Sequence, residues 1–411
     1  MARAAGDSVP HRAGSDARQH RARAACVPGA SLPRSSRRPA ATVSPPQPER
    51  GAPATRFNKT PDIDLMRRAL VIAPNWIGDA LMAQPLFALL KKLHPRIVID
   101  ALAPSWVAPV LERMPEIHEV HATDLAHGKL QMLRRWQLAS DLRELGYDAA
   151  YVLPNSLKSA LIPWLAGIPL RIGYTGESRY ALLNVRHANP PKARDSRPPM
   201  VPFYAALAYA PGAKLDEALK SLPMPRLEAD LNETARVSTR FHLDTRKPLI
   251  VFCPGAEYGP AKRWPPEHFA ALARIVGQSF PYTQMIALGS PKDAPAAQAI
   301  ADQAPGVRNL CGQTSLSEAC ALIARANAVV TNDSGLMHVA AALRRPLVAL
   351  YGSTDPRHTP PLSDLAKVQW LQLECSPCFQ RECPLGHLNC LRELSPEQVF
   401  ADLRGMLVGQ R

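Results

Sequence analysis

The chain has 411 residues, too many for one ordinary core, and its 46% hydrophobic and 20% charged residues are what a soluble globular protein carries. A formal charge of +14 admits an anionic partner, but residues 1 to 65 hold 11 basic against 5 acidic residues and supply +6 of it. The remainder carries no recognition motif of the usual nucleic-acid-binding types, so no nucleic acid partner is expected. The longest apolar run, Leu161 to Leu170, is about half a bilayer span and holds Pro163 and Pro169, which excludes a transmembrane helix.

Residues 1 to 65 are rich in Arg, Ala, Ser and Pro and show neither a period of 2 nor one of 3.6. That composition buries too little apolar area to offset the entropy of ordering, so a disordered basic extension is expected. It reads either as an organelle-targeting peptide, which is also Arg-rich and acid-poor, or as the product of an upstream start codon. We adopt the second reading because Met66 stands directly before the first buried strand. The cysteines, Cys26, Cys253, Cys311, Cys320, Cys375, Cys378, Cys383 and Cys390, lie in a chain long enough to fold without staples. No signal-peptide core precedes them, and a reducing cytoplasm is predicted.

From Met66 the pattern becomes regular. Arg68 to Ala73 predicts a buried strand, Pro74 to Asp79 a turn, Ala80 to Leu93 a helix and Arg96 to Ala103 a second strand. Further strands are predicted at Ile117 to His121, Asp148 to Leu153 and Leu170 to Tyr174, with helices at Val107 to Arg113 and Leu130 to Leu145. A Pro-rich stretch from Asn189 to Pro225, with a helix near Phe203 to Tyr209, separates this unit from the next. The alternation then restarts with strands at Leu249 to Cys253, Tyr282 to Leu288, Val307 to Leu310, Ala328 to Asn332 and Leu347 to Tyr351. Helices are predicted between them at His268 to Gly277, Ala294 to Gln303, Leu316 to Ala324 and Leu336 to Leu343. We therefore divide the folded part into residues 66 to 235 and 236 to 411, two doubly wound α/β units that face each other across a cleft at their strands' carboxyl ends.

Three strand-to-helix loops carry the candidate chemistry. In Asn75-Trp76-Ile77-Gly78-Asp79, Gly78 allows close backbone approach to a ligand, and Asp79 is either a helix cap or a carboxylate aimed at the cleft. In Pro254 to Pro265, Gly255 precedes Lys262 and Arg263, which suit a phosphate, although the loop has neither a GxxxxGK[ST] nor a GxGxxG pattern. In Asn332-Asp333-Ser334-Gly335, a compact helix start suits a diphosphate or ribose, and His338 lies one turn in, as a ligand contact or as a packed core histidine. A fourth set, Cys375-x2-Cys378-x4-Cys383-x6-Cys390 with His387, reads as a thiolate zinc site, as buried free thiols or as a redox-labile loop.

Together these segments resemble the ADP-heptose:lipopolysaccharide heptosyltransferases over Met66 to Arg411. The resemblance lies in the NWIGD loop, in PGAEYGPAKRWP, in NDSGLMHVAAAL followed by PLVALYGSTDP, and in CSPCFQRECPLGHLNCL. The AKRWP and cysteine-rich segments look more like the heptosyltransferase II branch than the heptosyltransferase I branch. The resemblance implies a glycosyltransferase-B fold of two facing Rossmann-like domains, with the acceptor on the first and ADP-heptose on the second. It implies inverting, metal-independent transfer without a cofactor to the first heptose of the Kdo-lipid A core, by a protein peripheral to the cytoplasmic face of the inner membrane. Asp79 matches the family's base and Lys262 its phosphate-binding lysine, and Asn75 and Gly78 fall in the acceptor loop. Gly255, Arg263, Asp333, Ser334, Gly335 and His338 fall at donor-binding segments, with Asp333 expected on a sugar or ribose hydroxyl or on backbone amides. Arg67, Arg68, Lys91, Lys92, Arg134, Arg135, Lys158 and Arg179 are read either as contacts for acceptor anions or as solvated helix faces, the latter for most of them.

Overall fold

The computed structural model describes residues 66–125, 130–190, 198–215 and 217–408; the expectations for residues 1 to 65 lie outside them. Arg68–Ile72 (β1), Val98–Pro104 (β2), Glu119–Thr123 (β3), Ala149–Val152 (β4), Leu170–Tyr174 (β5) and Val185–His187 (β6) form one parallel sheet in the order β3-β2-β1-β4-β5-β6. Leu249–Cys253 (β7), Gln284–Ala287 (β8), Val307–Asn309 (β9), Ala328–Asn332 (β10), Leu347–Tyr351 (β11) and Ala366–Trp370 (β12) form a second, in the order β12-β11-β10-β7-β8-β9. Each sheet therefore starts at its centre, winds to one edge and returns to fill the other. The crevices between β1 and β4 and between β7 and β10 are topological switch points, where open α/β sheets bind ligands.

Helices interleave with the strands. Those of the first unit are Ile77–Leu93 (α1), Ala108–Leu111 (α2), Met132–Glu144 (α3), Leu157–Leu165 (α4) and Met200–Ala205 (α5). Those that follow are Leu231–Arg240 (α6), Pro266–Ser279 (α7), Ala294–Gln303 (α8), Leu316–Arg325 (α9), Gly335–Ala342 (α10), Asn389–Arg392 (α11) and Pro396–Val408 (α12). Strands β7, β10 and β11 are buried at every position, as continuous apolar runs covered on both faces must be. Residue 235, the boundary read from the sequence, falls inside α6, and α6 packs on α9 of the second unit.

The core is layered. Residues of α3 and α4 cover one face of the first sheet, and those of α7, α8 and α12 cover one face of the second. Between the sheets a single apolar cluster runs from β1 through α1 to α9, α10 and β7. Helix α1 is buried almost all round, from Ala80 to Leu90, because it packs on its own sheet and also on α5 and α10.

Several of the basic residues named as candidates for acceptor anions make contacts within the fold. Arg68 pairs with the fully buried Asp100 at 2.7 Å, and the Tyr147 hydroxyl donates to the same carboxylate at 2.9 Å. Arg135 donates to the carbonyls of Leu130 and Lys158, and Lys91 to that of Ile97. Arg179 is 1% exposed and donates to the carbonyls of Tyr174 and Pro154 and to Asn155 Oδ1. Burial of a guanidinium is tolerable only with its donors satisfied in this way, so its charge is not offered to solvent.

Candidate active site

The first switch-point loop leaves β1 and enters α1 at Ile77. Trp76 is the cap residue and makes no side-chain capping bond, so Asp79, the third helical residue, does not cap the helix. Its carboxyl is pushed up to about 6, chiefly by burial; Lys262 pulls it down and Asp333 pushes it up. Such a group is ionised at neutral pH yet basic enough to take a proton from a hydroxyl as that hydroxyl attacks. The Asp79 charge is felt by the buried Tyr204 of α5, whose phenol is raised well above its ordinary value by burial and then by that charge. Asn75 is exposed on the loop, and its carbonyl accepts a bond from Trp106 Nε1 at 3.0 Å.

The second loop, between β7 and α7, is clamped by the fully buried Asn332. Its Nδ2 donates to the Pro254 carbonyl at 2.7 Å, and its Oδ1 accepts from the Trp264 N–H at 3.0 Å. Between these anchors a 3-10 turn, Pro260–Lys262, brings Lys262 Nζ to 2.6 Å from Asp333 Oδ2. Thr354 Oγ1 donates to the same oxygen at 2.5 Å. Asp333, expected on a sugar or ribose hydroxyl or on backbone amides, thus has the lysine as its partner and sets where that cation points. Arg263 braces the loop: its guanidinium donates to the Ala256 carbonyl and lies 3.6 Å from Asp293 Oδ1. Gly255 makes room for that carboxylate, because a Cβ there would lie 2.4 Å from Asp293 Cγ.

The third loop enters α10 through Ser334, whose side chain does not cap the helix. The N–H groups of the first turn, starting at Gly335, carry the positive end of the helix dipole and suit a phosphate. His338 is 5% exposed, and burial lowers it to about 4, with Asp333 raising and Lys262 lowering it, so the ring is neutral at pH 7. It faces Gly78: a Cβ there would lie 2.7 Å from His338 Cδ2, and a Cβ on Gly335 would lie 3.1 Å from Ile77 Cβ. The close approach that Gly78 allows is therefore to the other domain's helix. Two helix starts, one from each sheet, abut with Asp79 and the Lys262–Asp333 pair beside the junction.

That contact makes a test. Gly78→Ala would force the packed His338 ring aside and shift Asp79, its neighbour in sequence, so turnover should fall roughly tenfold or more. His338→Ala in the same chain removes the obstructing ring and should return part of the loss; a double variant worse than Gly78→Ala alone would mean that the imidazole itself acts in the reaction.

Residues 135–389 match the sequence profile of glycosyltransferase family 9 (heptosyltransferase). The chain belongs to that family. The lipopolysaccharide heptosyltransferase 2 of Salmonella typhimurium is 44% identical over 350 residues, which span 83% of this chain and 98% of that one. The solved structure of the Escherichia coli ADP-heptose lps heptosyltransferase II superposes with a TM-score of 0.73 at 42% identity, covering 84% of this chain and 99% of its own. The lipopolysaccharide heptosyltransferase 1 of Pseudomonas aeruginosa is 24% identical over 374 residues, 83% of this chain and 98% of that one. The two switch-point sheets are thus the paired Rossmann-like domains of a glycosyltransferase-B fold.

In this glycosyltransferase the cysteine-rich segment supports the lysine turn. The Ala261 N–H donates to the Arg381 carbonyl at 3.0 Å, the Tyr258 hydroxyl donates to the Phe379 carbonyl at 2.7 Å, and a Cβ on Gly259 would lie 2.4 Å from Arg381 O. Lys262 Nζ and Arg381 Cζ lie 5.1 and 5.3 Å from the Tyr258 ring centroid. Cys375, Cys378, Cys383 and Cys390 line a small cavity with Ala261, Ser353 and His387. Burial and then the neighbouring thiols push Cys390 up to about 11. At Cys383 burial pushes the thiol up, but N–H groups from Leu385 to Leu388 outweigh it and the net shift is down. Among the described residues, the group of side chains with ligand atoms close enough to share an ion is Asp100, His118 and Glu119, not these thiols. Asp100 there is already paired with Arg68.

Asn332, Thr354, Tyr258 and Arg381 are site-building residues that the sequence reading left without a role. Asn332 carried a signal: it is a polar residue ending a wholly buried strand, and such a group must find hydrogen-bond partners.

Proposed function

We propose that this chain is a heptosyltransferase II, which moves heptose from ADP-heptose onto the first heptose of the Kdo-lipid A core. The acceptor sits on the first domain and the donor on the second, and the protein works at the cytoplasmic face of the inner membrane. The observation that carries this reading is the junction at which the helix start bearing Asp79 meets, through Gly78 and Ile77, the helix start of the other domain, beside the Lys262–Asp333 pair. Asp79 takes the proton of the acceptor hydroxyl as its oxygen bonds to the anomeric carbon. The bond from that carbon to the diphosphate oxygen breaks, and its electron pair leaves with ADP. Lys262, held by Asp333, and the first N–H groups of α10 stabilise the charge that grows on the diphosphate. A single displacement with the base opposite the leaving group inverts the anomeric centre, and these donors supply the charge stabilisation that a metal otherwise gives. The 44% identity to a heptosyltransferase 2, against 24% to a heptosyltransferase 1, supports the choice of acceptor.

The protein should be incubated with ADP-heptose, a heptose-terminated acceptor and a chelator, and the product linkage read by NMR. One new heptose on the first heptose, with anomeric configuration opposite to the donor's, is expected. Retained configuration, addition to Kdo, or loss of transfer on chelation would each remove the corresponding part of the reading.

A further inference from the structure

We infer that Arg381, an arginine of the cysteine-rich segment, is a second cation on the donor's diphosphate, so that leaving-group recognition extends outside the three strand-to-helix loops; this rests on the nucleotide-diphosphate donor proposed above. The starting point is a charge deficit. Lys262, the cation placed on the diphosphate, lies 2.6 Å from Asp333, and the two charges largely cancel. Asp79 brings a second carboxylate to the same junction, and the buried His338 ring is neutral at pH 7. The start of α10 offers about half a positive charge. A sugar nucleotide carries a negative charge on each phosphate and gains another as the diphosphate leaves, so the site needs a further cation to hold it.

The other cations of the donor-side loops are already paired. Arg263 faces Asp293 at 3.6 Å, Arg357 pairs with Asp355 at 2.7 Å, and Lys292, on the turn before α8, pairs with Glu257 at 2.6 Å. Among the described residues Arg381 shares in none of these ion pairs, and it is exposed. Its place is nonetheless fixed. Its carbonyl accepts from the Ala261 N–H of the lysine turn at 3.0 Å, and its guanidinium carbon lies 5.3 Å from the centroid of the Tyr258 ring, the same ring from which Lys262 Nζ is 5.1 Å. The Tyr258 hydroxyl donates to the Phe379 carbonyl at 2.7 Å, so one anchored ring carries both cations. An aromatic ring attracts each of them, but the two like charges repel, and an anion lying against both relieves that repulsion. The guanidinium fork can bond two phosphate oxygens at once, which complements the point charge of the lysine. The cysteine-rich segment then serves the donor twice, by bracing the lysine turn through its main chain and by presenting this side chain.

The test uses the full chain and the variants Arg381→Gln and Arg381→Lys, with ADP and adenosine titrated by calorimetry. Both variants keep the main-chain brace, so their melting temperatures should match the parent's. Arg381→Gln should weaken ADP binding by roughly ten- to a hundredfold, as expected for lost hydrogen bonds between charged groups, and should leave adenosine, which has no phosphate, unaffected. Arg381→Lys keeps the charge without the fork and should fall in between. The KM for ADP-heptose should rise in Arg381→Gln in step with the dissociation constant of ADP. Equal ADP affinity in the parent and Arg381→Gln overturns the proposal. So does a loss shared equally by ADP and adenosine, which would make Arg381 a support for the Tyr258 ring and nothing more. A parent that binds no ADP removes the donor reading and this proposal together. If ADP binding depends on Arg381 but the parent transfers nothing to a heptose-terminated acceptor, the acceptor reading fails and the role of Arg381 stands.

Discussion

Asp79→Asn is expected to lower turnover by a factor of roughly a hundred to ten thousand, the usual contribution of a general base. The amide has no proton affinity near neutral pH, but it keeps the shape of the carboxylate, so ADP-heptose binding should survive. The pH dependence separates this from a structural effect. In the parent, kcat/KM should rise as pH climbs through about 6, where Asp79 loses its proton, and that acid limb should be absent from the residual activity of the variant.

Stability should move in the opposite sense. The folded value of about 6 lies above the ordinary 3.8, so between these values the native state holds more protons than the unfolded one. Asp79 therefore favours folding most below its unfolded value, and the benefit is lost as pH rises through about 6. At about pH 8 the variant, free of a poorly solvated carboxylate, should melt at or above the parent; near pH 4 the two should converge. A variant that melts lower at both values with turnover per folded molecule intact would make Asp79 a structural group.

Lys262→Ala should reduce turnover by on the order of a hundredfold or more, by analogy with loss of one transition-state donor. It should also lower the melting temperature. Asp333 is 4% exposed and would keep Thr354 but lose its countercharge, and stranding a buried charge costs about 3 to 5 kcal/mol. Adding Asp333→Asn removes the stranded charge and should restore much of the melting temperature but none of the turnover. Recovery of turnover in the double variant would mean that Lys262 serves only to neutralise Asp333.

The sequence made strands legible where they are apolar runs and helices where a start and stop signal bound them. Strands β5, β7, β10 and β11 and helix α8 begin and end at the predicted residues. Asp79, Lys262 and Asp333 could be singled out because each stands on a loop between a buried strand and a helix, at what proved to be the switch points. Elements with mixed signals were hidden. Helix α4 contains Pro163, which reads as a break, yet Ser156 caps it by accepting from Ser159 N–H. Helix α6 is polar overall and buries only Val237 and Ser238, and β12 is an edge strand with two exposed positions, so neither offers the run of apolar residues by which the other elements were read.

Pair relationships were not legible at all. That Asp333 orients Lys262, that Gly78 meets His338 and that Arg179 is spent on loop carbonyls depend on segments brought together by tertiary packing, in the first two cases across more than seventy positions of chain. Local periodicity holds no such information. Composition could not separate basic residues that face the cleft from those that hold the fold.

The most direct test of catalysis at the junction of Asp79 with Lys262 is mass spectrometry of heptose-terminated acceptor after incubation with ADP-heptose and either the parent or Asp79→Asn. The parent should make the acceptor heavier by one heptosyl residue and release an equal amount of ADP, and the variant should leave both unreacted over the same interval. ADP release without a gain in acceptor mass, or equal gain with both proteins, would contradict the account.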